Sequence, residues 1–279
     1  MTTYGVQTVT VRFGDVLALD RVSVEIASGS ILAVVGGDGA GKTTLLRTIV
    51  GHIRPVSGTV ATPPPETIGY LPASAGSWPS LSVDQNMDFV GGIYGLRDAE
   101  LATRRDALLE RAGLTEARER LASQLSGGMR RKLGFAMAFL HHPALLVLDE
   151  PSTGVDPVSR VDLWRLISLA AAEGAAVIMS TTYLDEAERA TTLLAIDAGR
   201  VLARGTRDEV VSTLRGSITR TMRPRRRAWS WRRGRSFHEY WPTDASEQPP
   251  SDGDLVSPDL EDVVVALSLA RRLGRGAAA

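Results

Sequence analysis

Residues Gly36-Gly37-Asp38-Gly39-Ala40-Gly41-Lys42-Thr43 fit the pattern G-x-x-x-x-G-K-[ST] and limit the folds open to the chain. Glycines let successive backbone N–H groups turn inward around a triphosphate. Lys42 has the reach for the outer phosphates, and the Thr43 hydroxyl suits a magnesium ion. The flanks supply the context that the loop needs. Ile31-Leu32-Ala33-Val34-Val35 reads as a buried strand. Thr44-Leu45-Leu46-Arg47-Thr48-Ile49-Val50 reads as a helix whose N-terminus faces the phosphates. A chance glycine-rich turn would lack the strand before it, the helix after it and the Lys-Thr ending.

Further strands and helices alternate around this loop. Residues 6–35 alternate apolar and polar, as strands of an antiparallel layer do, and a short strand is expected near Thr59-Val60-Ala61. Ser82-Val83-Asp84-Gln85 is a capping box that opens a helix through Tyr94, and Arg97–Leu121 is a second, highly charged helical region. Leu145-Leu146-Val147-Leu148 and Ala175-Ala176-Val177-Ile178-Met179-Ser180 are continuous apolar runs, as in a buried parallel sheet. Between them Asp156-Pro157 starts a helix that runs to about Ala172. Leu193–Ala203 reads as a hairpin around Asp197-Ala198-Gly199, and Thr206-Arg207-Asp208-Glu209 caps a short helix. The alternation is that of an α/β fold.

Composition sets outer bounds. The chain has 279 residues, 43% hydrophobic and 23% charged, with formal net charge zero. A neutral balance gives no argument for nucleic acid. No apolar run approaches the roughly 18–20 residues that span a bilayer, and the first residues lack a signal-peptide pattern. With no cysteine, disulfides, thiolate metal sites and cysteine nucleophiles are excluded. Lys42 and Lys132 are the lysines in an otherwise arginine-based set of cations. A lysine inside the loop is expected, because a planar guanidinium does not replace a compact ammonium there.

Two more motifs narrow the chemistry. Leu146-Val147-Leu148-Asp149-Glu150 ends an apolar strand in two acids: Asp149 would sit beside a magnesium ion, and Glu150 would polarise a water toward a γ-phosphate. Leu125-Ser126-Gly127-Gly128-Met129-Arg130-Arg131-Lys132 opens a helix with bare N–H groups and a hydroxyl suited to phosphate oxygens. In these residues the chain resembles the ATP-binding subunit of ABC transporters over about residues 4–215, with the motifs in family order. The resemblance implies a P-loop ABC ATPase fold: a RecA-like parallel sheet core, an antiparallel β layer and a helical subdomain at about 75–140. It implies ATP and Mg²⁺ as cofactors. Phe13 matches the aromatic that stacks on adenine. Gly36, Gly37, Asp38, Gly39, Ala40, Gly41, Lys42, Thr43 and Thr44 match the phosphate loop. Thr43 and Asp149 match the metal side, and Glu150 matches the catalytic base. Ser126, Gly127 and Gly128 match the signature that closes on ATP held by an opposite subunit. Gly154 and Asp156 match the loop that communicates between the two sites. Such subunits dimerise head to tail around two ATP molecules and drive transmembrane partners.

The sequence departs from the family pattern at two telling positions. Ile68-Gly69-Tyr70-Leu71-Pro72 is followed by Ala73, where the family has a glutamine that touches the metal and the attacking water. Thr182 stands where the family has a histidine at the γ-phosphate. Asp38 replaces a more usual asparagine. Ala73 and Thr182 both belong to the site of the chain's own phosphate loop, while the donated signature is intact. The pattern favours an asymmetric heterodimer with a second ATPase domain over a homodimer of weakened sites; the retained Glu150 argues the other way.

From Arg215 arginines crowd together with Trp229, Trp231, Phe237, Tyr240 and Trp241. Thr243–Ser257 reads as a linker and Pro258–Leu273 as a terminal helix, so 216–279 is expected to be a C-terminal appendage. Trp231-Arg232-Arg233-Gly234-Arg235, Phe237–Pro242 and Pro258–Asp262 resemble the end of the first ATPase domain in bacterial two-ATPase efflux systems with ABC-2-type permeases. That likeness implies a drug or antibiotic exporter, peripheral on the cytoplasmic face of the cell membrane, with no nucleic-acid partner. The arginine-aromatic cluster is either a locally paired surface hairpin or a binder of anionic headgroups or RNA. Trp78 and Leu81, read as helical, are candidates for permease contact or for core packing. Rival classes are a non-transport ABC ATPase acting on ribosomes or nucleic acid, and a regulatory subunit that holds ATP. The transported compound is not written in this chain.

Overall fold

The computed structural model describes residues 2–74, 76–243, 249–250 and 254–276. The chain opens with β1 (Thr3–Phe13) and β2 (Val16–Ala27), which pair antiparallel, and β3 (Ile31–Val35). Then come α1 (Lys42–Ile49), β4 (Ser57–Ala61) and β5 (Ile68–Leu71). Three helices follow: α2 (Val83–Ile93), α3 (Asp98–Arg111) and α4 (Gly127–Phe139). Next are β6 (Leu145–Asp149), α5 (Pro157–Ala172), β7 (Ala176–Thr181) and α6 (Leu184–Ala187). The chain continues through β8 (Thr192–Asp197), β9 (Arg200–Gly205) and α7 (Arg207–Ser212). It closes with β10 (Gly216–Thr221), β11 (Ser230–Arg233), β12 (Ser236–Pro242), β13 (Asp254–Val256) and α8 (Leu260–Gly276).

Three sheets form. The central one runs β5-β6-β7-β3-β8-β9, parallel except for β9, which pairs antiparallel with β8. Strands β3, β6 and β7 are buried along their whole length, which is why they read as unbroken apolar runs. Side-chain alternation divides them between two cores. Leu32, Val34, Leu145, Val147, Ala176 and Ile178 face the antiparallel layer β2-β1-β4 and α1. Ile31, Ala33, Val35, Leu146, Leu148, Val177 and Met179 face α2, α4, α5 and the first turns of α8. The sheet is therefore a partition, and the ends of its parallel strands open on the loops that carry the chemistry.

Three sequence expectations are corrected. The charged helix predicted over Arg97–Leu121 stops at Arg111, where Gly113 takes φ 63° and 3₁₀ turns replace it. Trp78 and Leu81 lie in a non-helical segment before α2. Buried Asn86 ties that segment down: its Oδ1 accepts from Trp78 N at 2.8 Å, and its Nδ2 donates to the Trp78, Leu81 and Ser82 carbonyls. Within the predicted linker, Asp254–Val256 is a strand paired with β10; residues 244–248 and 251–253 lie outside the described residues. The tail builds a four-stranded sheet, β11-β12-β10-β13, on which α8 packs through Ala266 and Ala270 against Ile218 and Tyr240.

Some of the arginines of the tail pair at home. Arg233 reaches Asp259, Glu261 and Asp262, and Asp262 also takes His238 Nδ1 at 2.7 Å. Arg220 holds Asp254 at 2.6 Å, and Arg226 lies over the rings of Trp229 and Trp241.

Candidate nucleotide site

The loop between β3 and α1 is shaped by close approach. A Cβ on Gly36 would stand 2.2 Å from the Ile196 carbonyl oxygen, and Gly41, the N-cap of α1, has φ 109° with Ala18 O 2.9 Å from where a Cβ would be. Only glycine fits there. The loop lines a cavity of about 450 Å³ with Val16, Leu17, Ala18, Glu150 and Ala198; Asp38, Gly39, Ala40, Gly41, Lys42, Thr43 and Thr44 all border it. Lys42 is buried, and its ammonium donates to Gly36 O at 2.9 Å and Gly37 O at 3.2 Å and lies 3.4 Å from Glu150 Oε1. It is tethered to the first two carbonyls of its own loop. Phe13, at the tip of the β1–β2 hairpin near that rim, is 52% exposed, an apolar ring offered to solvent rather than to the core.

The acid pair ends β6. Asp149 Oδ1 accepts from Thr43 Oγ1 at 3.1 Å and Ser180 Oγ at 2.7 Å, while its other oxygen is buried without a hydrogen-bond partner among the described residues. An orphaned carboxylate oxygen beside a threonine hydroxyl fits a hard cation completed by phosphate and water oxygens. Thr43 and Asp149 are side chains that fit such an ion. Glu150 has φ 48°, a strained conformation for a side-chain-bearing residue. Its N–H donates to Ser180 Oγ at 2.9 Å, and its Oε2 accepts from Thr153. Ser180 on β7 thus fixes both acids at once. The sequence reading missed it, since a serine in an apolar run gives no local signal.

The predicted departures sit at the same end. Ala73 and Thr182 are both exposed. Arg131 of α4 grips the backbone at the first, donating to Pro72 O at 3.2 Å, to Ser74 O at 3.0 Å and to Ala73 O. Burial holds the Arg131 guanidinium below its usual pKa, opposed by the charges of Asp149 and Glu150. Beside Thr182, buried Glu186 accepts from Ser152 Oγ at 2.6 Å and Thr181 Oγ1 at 3.0 Å, and burial raises its pKa. That network joins the segment after the acid pair to the segment after β7.

The signature residues lie at the start of α4. Ser126 caps α4, its Oγ accepting from Met129 N at 3.2 Å; Ser126 and Gly127 are exposed, whereas Gly128 is buried. A Cβ on Gly128 would come within 2.4 Å of Ser159 Oγ, so that glycine is required for α4 to meet the start of α5. Asp156 caps α5 through Val158 N and Ser159 N, and Gly154 has φ 75°. The hydrogen bonds from Ser159 hold the Asp156 carboxyl below its usual pKa.

This arrangement can cradle a triphosphate, place a divalent cation at Asp149 and polarise a water at Glu150. The comparisons identify the family. The sequence profile of the ABC transporter family matches residues 19–153. The daunorubicin resistance ATP-binding protein DrrA3 of Streptomyces coeruleorubidus is 36% identical over 210 residues, 71% of this chain and 66% of that protein, just under two thirds of its length. The Nod factor export ATP-binding protein I of Cupriavidus metallidurans is 35% identical over 212 residues, covering 72% and 70%. A solved ATP-binding subunit of an ABC transporter superposes with a TM-score of 0.70 at 27% identity, over 76% of this chain and 93% of that one. The chain belongs to the ATP-binding subunits of the ABC transporter family.

Proposed function

We propose that this chain binds MgATP and works as one half of a head-to-tail ATP sandwich that drives an export permease at the cytoplasmic face of the membrane. The observation that carries the reading is the convergence of Lys42, Thr43 and Glu150 on one cavity, with buried Asp149 bonded to Thr43 behind it and Ser126 and Gly127 exposed on a separate helix end. Residues 1–215 form the ATP-binding domain and 216–279 the appendage. Lys42 and the loop N–H groups hold the outer phosphates, and Phe13 receives the base. Thr43 and Asp149 would hold Mg²⁺, which would neutralise phosphate charge when bound. Glu150 takes a proton from the attacking water. Ser126, Gly127 and Gly128 serve the ATP of the opposite subunit, and Gly154 and Asp156 link the two sites. Export is supported by the relatives, named for daunorubicin resistance and Nod factor export.

The chain's own site turns over slowly, because Ala73 has no group for the water and Thr182 no cation for the γ-phosphate. A second ATPase domain then completes a heterodimer in which this chain donates the intact signature. The test measures ATP binding and hydrolysis by the purified chain, alone and with the membrane complex that it co-purifies with. Tight binding, slow turnover alone and faster turnover in the complex are expected. Brisk turnover alone would end the asymmetric reading. Failure to bind ATP would end the whole proposal, and co-purification with ribosomes in place of a permease would move the chain to a non-transport role.

A further inference from the structure

The terminal helix α8 is tied down at both ends, and to different things. Near its start, Asp262 joins Arg233 and His238 of the appended sheet. Near its far end, Arg271 and Arg272 leave that sheet and converge on the turn between β8 and β9. Arg271 Nη1 lies 3.5 Å from Asp197 Oδ2 and its Nη2 donates to Ala198 O at 3.3 Å, while Arg272 Nη2 lies 3.5 Å from Asp197 Oδ1. The Arg271 and Asp197 side chains are 14% and 13% exposed, so this pair is shielded from screening in a way that surface pairs are not.

The turn that they hold is part of the nucleotide site. Ala198 lines the same cavity as the phosphate loop. Gly199 N donates to Ala40 O at 2.8 Å, and Gly199 O accepts from Asp20 N at 2.8 Å. Asp20 is in turn held by Arg200 at 2.5 Å. Ala198 has φ 43°, a left-handed conformation that an alanine keeps only when its neighbours impose it. Arg271, on the Ala198 carbonyl and the preceding carboxylate, is such a neighbour. From its guanidinium to the phosphate loop the path is one turn long.

We propose that Arg271, aided by Arg272, is a positioning residue for nucleotide binding: through Asp197 and Ala198 the C-terminal helix fixes the β8–β9 turn that braces the phosphate loop, so the state of the appendage sets the affinity of the site. A planar, two-pronged guanidinium suits the task, since it takes a carboxylate and a carbonyl together. The proposal rests on the MgATP reading.

The experiment titrates the full-length chain with a fluorescent ATP analogue and Mg²⁺ and follows unfolding in parallel. Arg271→Ala raises the Kd about fivefold or more, and Arg271→Lys, which keeps the charge opposite Asp197, recovers part of it. Asp197→Asn reproduces the loss from the other side of the contact and stands in for Arg271→Ala should that variant not fold. Arg220→Ala, which breaks an ion pair at the far edge of the appended sheet, leaves the Kd unchanged. Wild-type affinity in both Arg271→Ala and Asp197→Asn overturns the proposal, as does an equal loss in Arg220→Ala. Absence of binding in the wild type instead overturns the MgATP reading together with what rests on it; a Lys42→Ala variant fixes the baseline for loss of binding.

Discussion

At the scale of single residues, the site depends on one that carries no charge. Ser180 Oγ donates to Asp149 and accepts from the Glu150 N–H, so one buried hydroxyl orients the two acids that differ most in role. Ser180→Ala leaves a buried carboxylate short of a donor, a loss of roughly 1.5–3 kcal/mol for a hydrogen bond to a charged group. The expected outcome is a drop of about tenfold or more in the hydrolysis rate of the assembled complex, with ATP binding nearly intact because Lys42 and the loop are untouched. Steady-state kinetics with a parallel binding titration separate the two; an unchanged rate would refute the role. Phosphate-loop residues are legible in the sequence because their chemistry is local, eight consecutive positions whose spacing alone makes the cradle. Ser180 and Arg131 are not. Arg131 meets Ala73 across 58 positions of sequence, and only the docking of α4 beside the end of β5 brings them together.

At the scale of elements, α2 leaves an apolar face uncovered. Trp78 and Phe89 pack edge to face with centroids 4.6 Å apart, yet they are 40% and 49% exposed, and Ile93 continues the face at 63%. The Asn86 network holds the backbone of Trp78 against α2. An aromatic pair in solvent has the character of an interface anchor. Trp78→Ala should weaken association with permease-containing membranes by at least tenfold while ATP binding stays as it was; co-sedimentation with and without the permease checks it, and unchanged association would remove Trp78 from the interface. The capping boxes at Ser82 and Thr206 and the apolar strands of the central sheet follow from the sequence because each is fixed by neighbours in sequence. The end of α3 at Arg111 and the strand at Asp254–Val256 do not. The first turns on a glycine inside a charged run, and the second exists only because β10 offers it a partner.

At the scale of the whole molecule, helices and sheet are joined by a contact that titrates. His141 stacks on Tyr94 with centroids 3.6 Å apart, and the Tyr94 hydroxyl donates to Ile68 O of β5 at 3.3 Å. Burial presses the His141 pKa down from 6.5 to about 4. A depressed folded pKa means that the unfolded chain takes up the proton first, so the stability that His141 contributes is complete above about pH 6.5 and drains away as pH falls toward 4. Denaturant unfolding between pH 7 and 4 should show that slope, and His141→Phe, which keeps a stacking ring and cannot protonate, should flatten it; an equal slope in the variant would assign the loss elsewhere. A last consequence comes from the backbone of Glu150. With φ at 48°, the position of the proposed base is one where glycine would be more comfortable. Retaining a side chain there runs against conformational preference, so drift toward an inactive but equally well-folded chain is downhill. Glu150→Gly would therefore remove the proposed base at little cost to the fold, and a stability measurement of that variant checks it.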